Sequence, residues 1–423
     1  MERTTVIIGA GLPLNLDIPK DENFPSTANI TEQLCKPYPD YSKYSTKVLY
    51  QTDIVRKIRE YWENRYPVLG GEKSTANFEQ IFHCMEMYLS YCHSWENNCP
   101  NTSINPVFGP LTSPSVLLDK NELSSVAKQF IMRLMNIISK YDAYFKNEKA
   151  GNEVWLTDFF KGLPTPDIFN FNYDNMFENI YGEGNYVDGF ESLANHNYKI
   201  FNPAKLLRNN CALPTVNHLH GCINYWHVDS FNDHLREVLF HDWVKYPDYQ
   251  TVSKKMLGTT QSLPHTQTGD TMFNGPIITG LNKEAKLNCI PFDFYHANLV
   301  KSITDNPRLL IIGYGFGDLY CNQLIERMNL IHGDKARVCV IDYWDVESYE
   351  SWSMRDFTYG KMNQDLGTTL CIYSSHTAFA AAAQEIGKDP VLYRYDSGQL
   401  MVGIRGLKEA AARKDEIIRF LKS

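Results

Sequence analysis

The sequence predicts an α/β fold: a Rossmann-like, mostly parallel sheet with a helical insertion and a small C-terminal α/β unit. Three observations predict it. Short β-branched, apolar runs recur along the chain and stop at glycine or at a polar residue, as strands buried on both faces do. A long stretch of helical periodicity separates the first of these runs from the others. Beyond Trp344 the pattern changes to two further strand-like runs and one amphipathic stretch.

Thr4 to Ile8 reads as a buried first strand that stops at Gly9-Ala10-Gly11. The stretch from Leu12 to Pro25, rich in Pro, Asp and Asn, reads as a loop. Ser26 or Thr27 is a suitable N-cap for a short helix through Ile30 and Leu34. From about Thr52 to Phe145 the pattern is helical. Phe78, Ile81, Phe82, Met85, Leu89 and Cys92 share one face, as do Val126, Phe130, Leu134, Ile137, Tyr141 and Phe145. A proline-rich loop, Asn97 to Ser115, separates the two, and the insertion as a whole is placed at about 40–165. Strand-like runs return at Asp167–Asn172, Thr215–His220, Pro276–Thr279, Arg308–Ile312 and Arg337–Ile341. The main domain is thus placed at 1–345 and a C-terminal unit, suited to oligomerisation or partner docking, at 346–423. In that unit Thr368–Tyr373 and Val391–Tyr395 read as strands and Leu407–Leu421 as an amphipathic helix.

Composition narrows the function. Hydrophobic residues at 43% and charged residues at 21% are ordinary for a globular protein. Aromatic residues, at 13%, are abundant enough to suit self-association surfaces. A net charge of −8 argues against a chain built to coat a nucleic-acid backbone directly. No apolar run is long enough to cross a bilayer, and Met1-Glu2-Arg3 is not the start of a signal peptide. The ten cysteines are scattered without a Cys-x-x-Cys pair, which suits a reducing cytoplasm and argues against a structural zinc site.

Five strand ends carry groups capable of chemistry. Gly9-Ala10-Gly11 is a phosphate-loop candidate or a plain strand-to-loop corner; Leu14 occupies the third glycine position of a dinucleotide fingerprint. Asn170, Asn172 and Asp174 fall on one side of an extended chain, facing a ligand or closing an Asx turn. His218, His220 and Cys222 alternate as metal ligands would, but no fourth ligand is near, and His218 also reads as a core histidine. His220, just before Gly221, is where a reactive imidazole would face a cleft. Finally, Ile312 runs into Gly313-Tyr314-Gly315-Phe316-Gly317-Asp318, and Ile341 into Asp342, a carboxylate suited to a ribose. Together these ends describe a nucleotide crevice better than as many independent turns.

In this order the motifs resemble the sirtuin-like NAD-consuming domains of bacterial antiphage defence systems. The resemblance rests on Gly9-Ala10-Gly11, Pro25-Ser26-Thr27, Asn77-Phe78-Glu79, Phe171-Asn172-Tyr173-Asp174, Leu219-His220-Gly221, Ile278-Thr279-Gly280 with Pro291 and Tyr295, and Gly313-Tyr314-Gly315-Phe316-Gly317-Asp318. Length and layout are most similar to the sirtuin-like subunits that pair with a HerA-type hexameric ATPase. The resemblance implies a homo-oligomer, NAD as substrate, and no further cofactor or metal. It assigns Asn172 to the nicotinamide ribose and attacking water, and His220 to activation of a ribose hydroxyl or water. It assigns Gly9, Ala10, Gly11, Thr27, Asp174, Gly313, Tyr314, Gly315 and Asp342 to the rest of the dinucleotide. The segment between Gly11 and Pro25 is longer than usual, the zinc module is missing, and Lys20-Asp21-Glu22 follows Ile18-Pro19 where Asp-Phe-Arg is familiar, so deacetylation is disfavoured.

The implied reaction takes NAD+ to ADP-ribose and nicotinamide, depleting the cell of NAD during infection. It passes through an oxocarbenium-like ribose, and the pyridinium leaves as a neutral molecule, needing no strong acid. An amide such as Asn172 can donate and accept at once. An imidazole such as His220 suits the base. Two other readings stay open: a non-catalytic NAD- or ADP-ribose-binding sensor or scaffold, and a Rossmann dehydrogenase, against which the incomplete Gly9–Leu14 fingerprint speaks.

Overall fold

The computed structural model describes residues 2–16, 26–36, 46–65, 75–93, 120–147, 152–208, 213–227, 243–258, 276–280, 287, 290–343, 391–394, 398–403 and 405–423. A seven-stranded sheet runs in the order β10-β11-β9-β8-β1-β2-β5. Its strands are β1 (Thr4–Ile8), β2 (Pro166–Asn170), β5 (Thr215–His218), β8 (Arg308–Ile312), β9 (Arg337–Ile341), β11 (Leu400–Gly403) and β10 (Tyr393–Arg394). All neighbours pair in parallel except β10 with β11 at the edge. The middle strands are buried on both faces, which explains their unbroken apolar runs.

Numbered by first appearance, the six parallel strands follow the order 3-2-1-4-5-6 of doubly wound dinucleotide-binding folds. The chain builds outward from β1 through β2 and β5, then returns to the other side of β1 as β8, β9 and β11. The switch point, where crossovers diverge and leave a crevice at the strands' carboxyl ends, therefore lies between β1 and β8. The fold is a Rossmann-like α/β fold, as the sequence predicts.

Short α1 (Gly11–Leu14) and α2 (Thr27–Cys35) follow β1, and Ser26 caps α2 by accepting the Asn29 N–H at 3.1 Å. The helical insertion follows as α3 (Thr46–Arg65), α4 (Phe78–His93), α5 (Lys120–Asn147) and α6 (Asn152–Gly162). The apolar positions picked out by their period, Phe78 through Leu89 and Val126 through Tyr141, are buried; the side chains of Cys92 and Phe145 lie outside the described residues. Then come α7 (Met176–Tyr181), α8 (Pro203–Leu207), α9 (Tyr249–Gly258), α10 (Phe292–Asp305) and α11 (Leu319–His332). Among the described residues no helix is long and apolar enough to cross a membrane.

Three features depart from the sequence reading. A second, four-stranded antiparallel sheet joins β3 (Phe190–Ser192), β4 (Lys199–Phe201), β7 (Trp243–Lys245) and β6 (Tyr225–His227), in strands too short to show a period. Pro276–Thr279 is not a sheet strand: Ile277 makes a lone antiparallel bridge to Gly221. Leu407–Leu421 divides into α12 (Leu407–Ala411) and α13 (Lys414–Lys422). Residues 393–394 and 400–403 extend the main sheet itself, while the strand expected at Thr368–Tyr373 lies outside the described residues.

Candidate active site

The exits of β1 and β8 abut at the switch point. The Gly9 N–H donates to the Ile312 carbonyl at 3.0 Å and the Gly11 N–H to the Gly313 carbonyl at 2.8 Å. A Cβ on Gly9 would stand 2.4 Å from the Gly313 oxygen, and one on Gly313 2.5 Å from the Gly11 carbonyl carbon. Only glycine allows this approach, and at Gly313 a φ of +56° adds to the demand. The first turn's glycines thus spend their N–H groups on the end of β8 and on the second turn, which favours the strand-to-loop corner over the phosphate loop among the two readings of Gly9-Ala10-Gly11. Ala10 stays exposed at the lip. Gly315 and Gly317 are exposed as well, and a Cβ on either would meet nothing within 4 Å, so the second turn forms the open flank. Between them Phe316 holds a φ of +53°, a conformation costing a non-glycine residue on the order of 1 kcal/mol or more and concentrated at functional loops. Asn322 pins it, donating to the Phe316 carbonyl at 2.8 Å.

Asn172 and His220 stand at matching offsets on neighbouring strands. Asn170 of β2 pairs in register with His218 of β5, and each functional residue lies two positions further on. The Asn170 side chain accepts the Asn172 N–H at 3.0 Å, an Asx turn that ends the strand. Simple alternation fails from there, and the three polar residues do not share one side. Asn172 reaches toward β1, its Nδ2 donating to the Gly9 carbonyl at 3.0 Å. Asp174 turns the other way into the insertion: it accepts from the Tyr141 hydroxyl at 3.2 Å and the Met176 N–H at 3.1 Å, and is 1% exposed. It serves as a cap and not as a ligand contact. Asp142, also on α5, accepts the Asn175 N–H at 2.8 Å; burial, reinforced by the charge of Asp174, pushes its carboxyl up to about 7.

Beyond His220, Gly221 has a φ of +88° and a Cβ there would lie 2.1 Å from the Pro276 oxygen. That close approach lets residues 276–278 close over the turn, with the Ile278 N–H donating to the His220 carbonyl at 2.7 Å. The His220 ring meets Phe171 edge-on at 4.8 Å, and Phe171 in turn lies 5.1 Å from the ring of Tyr314. Its Nε2 faces Asp318 Oδ2 at 3.6 Å, too long for a hydrogen bond but close enough for charge to act. The other Asp318 oxygen caps α11, accepting the Cys321 N–H at 3.0 Å. Two groups the sequence reading did not assign therefore belong to this corner: Phe171 and Asp318. Aspartate closing a glycine turn ahead of a helix was a legible capping signal; its pairing with His220 was not.

The remaining predicted residues divide. Tyr314 is buried beside the first turn, its hydroxyl within bonding distance of the Asp318 carbonyl (3.1 Å) and Asn322 Oδ1 (3.2 Å). Asp342 ends β9 next to the second turn, since the Gly313 N–H donates to the Ile341 carbonyl at 2.9 Å. Burial raises its carboxyl to about 6, against the pull of the Tyr343 N–H. Thr27 is exposed at the first position of α2, and among the described residues no hydrogen bond joins it to the strand tips. His218, His220 and Cys222 do not converge: His218 bonds Glu178 at 2.8 Å and the Cys222 thiol lies 3.1 Å from Asn175 Oδ1.

The strand order and its tips define a Rossmann-like α/β protein whose polar groups gather along the carboxyl edge of one parallel sheet. The chain matches no family model and no curated protein.

Proposed function

We propose that this chain is an NAD+ glycohydrolase that cleaves NAD+ to ADP-ribose and nicotinamide. One observation carries the reading: the six parallel strands follow the dinucleotide-binding order, and His220, Asn172, the two glycine turns and Asp342 occupy five successive tips of that sheet. In this reading the dinucleotide lies along the open flank at Gly315 and Gly317, with its adenosine ribose toward Asp342 and its nicotinamide ribose toward Asn172 and His220.

Each side chain's surroundings suit its part. With Nδ2 committed to the Gly9 carbonyl, the Asn172 amide has a fixed orientation, and among the described residues its Oδ1 accepts no hydrogen bond. That oxygen can hold a sugar hydroxyl or the attacking water. His220 takes the proton, and the Asp318 carboxylate at 3.6 Å stabilises the imidazolium that results. The departing pyridinium becomes neutral nicotinamide, so no acid is required on that side.

Chromatography of the products from NAD+ tests this reading. Wild type should release nicotinamide, and Asn172→Ala and His220→Ala should each lower the rate by ~10²–10⁴. A role in antiphage defence, self-assembly and a HerA-type ATPase partner rest on the sequence resemblance, so the assay is run with and without such an ATPase. Absence of nicotinamide in both conditions rejects the glycohydrolase reading.

A further inference from the structure

Resting on that reading, we propose that Asn170 is a positioning residue for the cleavage, setting Asn172 in place through its side-chain oxygen. The ladder between β1 and β2 ends at the pair Ile8–Asn170, and Phe171 keeps one more bond to it, its N–H donating to the Ile8 carbonyl at 2.9 Å. The next N–H, that of Asn172, is taken instead by Asn170 Oδ1 at 3.0 Å. From there the Asn172 side chain crosses to the Gly9 carbonyl. Asn172 is thus held at both ends, its backbone by Asn170 and its amide by the exit of β1.

The same residue reaches the neighbouring tip. Its main-chain carbonyl accepts the Leu219 N–H at 3.0 Å, one residue before His220. A single residue of β2 therefore bonds to the backbone of Asn172 on its own strand and to the backbone next to His220 on β5. Asn170 is itself fully buried, so its influence on a ligand passes through these neighbours.

The chemistry of the contact lies in the oxygen. Among the described residues Asn170 Nδ2 has no hydrogen-bond partner, so replacing the amide nitrogen breaks no bond to them. Serine and threonine hydroxyls close the same kind of turn, though more weakly. Threonine also suits a strand, and valine has its branched shape without the hydroxyl. That pair separates the oxygen from the packing around it. A reacting group displaced by about 1 Å can lose ~10² in rate, so removal of the oxygen should show in kcat while contacts elsewhere along the sheet edge keep the substrate bound.

The test is nicotinamide release from NAD+ by Asn170→Thr and Asn170→Val, each alone and combined with Asn172→Ala, with thermal melts confirming the fold. Asn170→Ser and Asn170→Ala repeat the comparison without the branched side chain. Asn170→Thr should keep kcat within about threefold of wild type, and Asn170→Val should lower it by ~10–10² with KM shifted much less. The pH at which kcat falls on the acid side, set by His220, should be the same in both, because the bond to Leu219 is made by the main chain. In the Asn172→Ala background threonine and valine should give equal rates, since the oxygen acts through Asn172. Equal kcat for the folded hydroxyl and hydrocarbon variants of an active enzyme overturns the proposal and leaves the glycohydrolase reading intact, as does a difference between them that survives Asn172→Ala. Wild type that releases no nicotinamide, with or without the ATPase, overturns both.

Discussion

His218 and His220 are two residues apart and live in opposite surroundings. His218 is fully buried, and its Nε2 lies 2.8 Å from Glu178 Oε1. The same oxygen accepts from Lys245 Nζ at 2.8 Å, and Lys245 reaches Asp188 at 2.7 Å. Burial alone would raise the Glu178 carboxyl, but Lys245 and His218 hold it well below the usual carboxylate range. This network ties β5 and α7 to β7 of the small sheet. His220 instead approaches Asp318 at 3.6 Å and meets the edge of an aromatic ring. Close, mutually paired charges fix position, whereas a longer approach at a strand exit holds its two side chains less rigidly.

The comparison breaks first at Lys245. Lys245→Met leaves two buried carboxylates without their cation and should cost about 3–5 kcal/mol, read by urea denaturation. Activity per folded molecule should hold, opposite to the silent but stable enzyme expected of His220→Ala. A smaller effect belongs to Asp318→Asn. Asparagine is as good an N-cap as aspartate, so α11 should keep its melting behaviour. Loss of the charge facing the His220 imidazolium should lower kcat about tenfold, and equal rates for variant and wild type would remove Asp318 from the chemistry.

A pH-dependent effect concerns the brace behind Asn172. The Asp142 carboxyl is raised from 3.8 to about 7 in the fold, so the folded state binds the proton more tightly than the unfolded chain. Its contribution is complete below about pH 4 and fades as pH rises through about 7. Asp142→Asn keeps an oxygen for the Asn175 N–H and has no charge to bury. Thermal melts should show the variant gaining on wild type by about 2–3 kcal/mol between pH 5 and pH 8. A constant difference across that range would show that burial of this charge does not govern the junction.

Much of this geometry was legible in the residues. Apolar runs such as Arg337–Ile341 located buried strands because both faces of a parallel strand are covered, and their polar stops located the crevice edge. Local chemistry then overrode simple alternation. The Asx turn at Asn170 sent Asn172 and Asp174 to different partners, and Gly221 let residues 276–278 fold back over a turn when a sheet strand was expected. Three-residue strands such as Trp243–Lys245 carry no period to read.

Asn15 has a reach that its modest position hides. Its Nδ2 donates to the Gly11 carbonyl at 2.7 Å, and its Oδ1 accepts the Leu407 N–H at 2.9 Å. One amide therefore clamps the first glycine turn to a helix made almost four hundred residues later in synthesis. Until Leu407 is in place, the first turn rests on its bonds to the exit of β8 and to the Asn172 side chain, and the Asn15 clamp is the last of its supports to form.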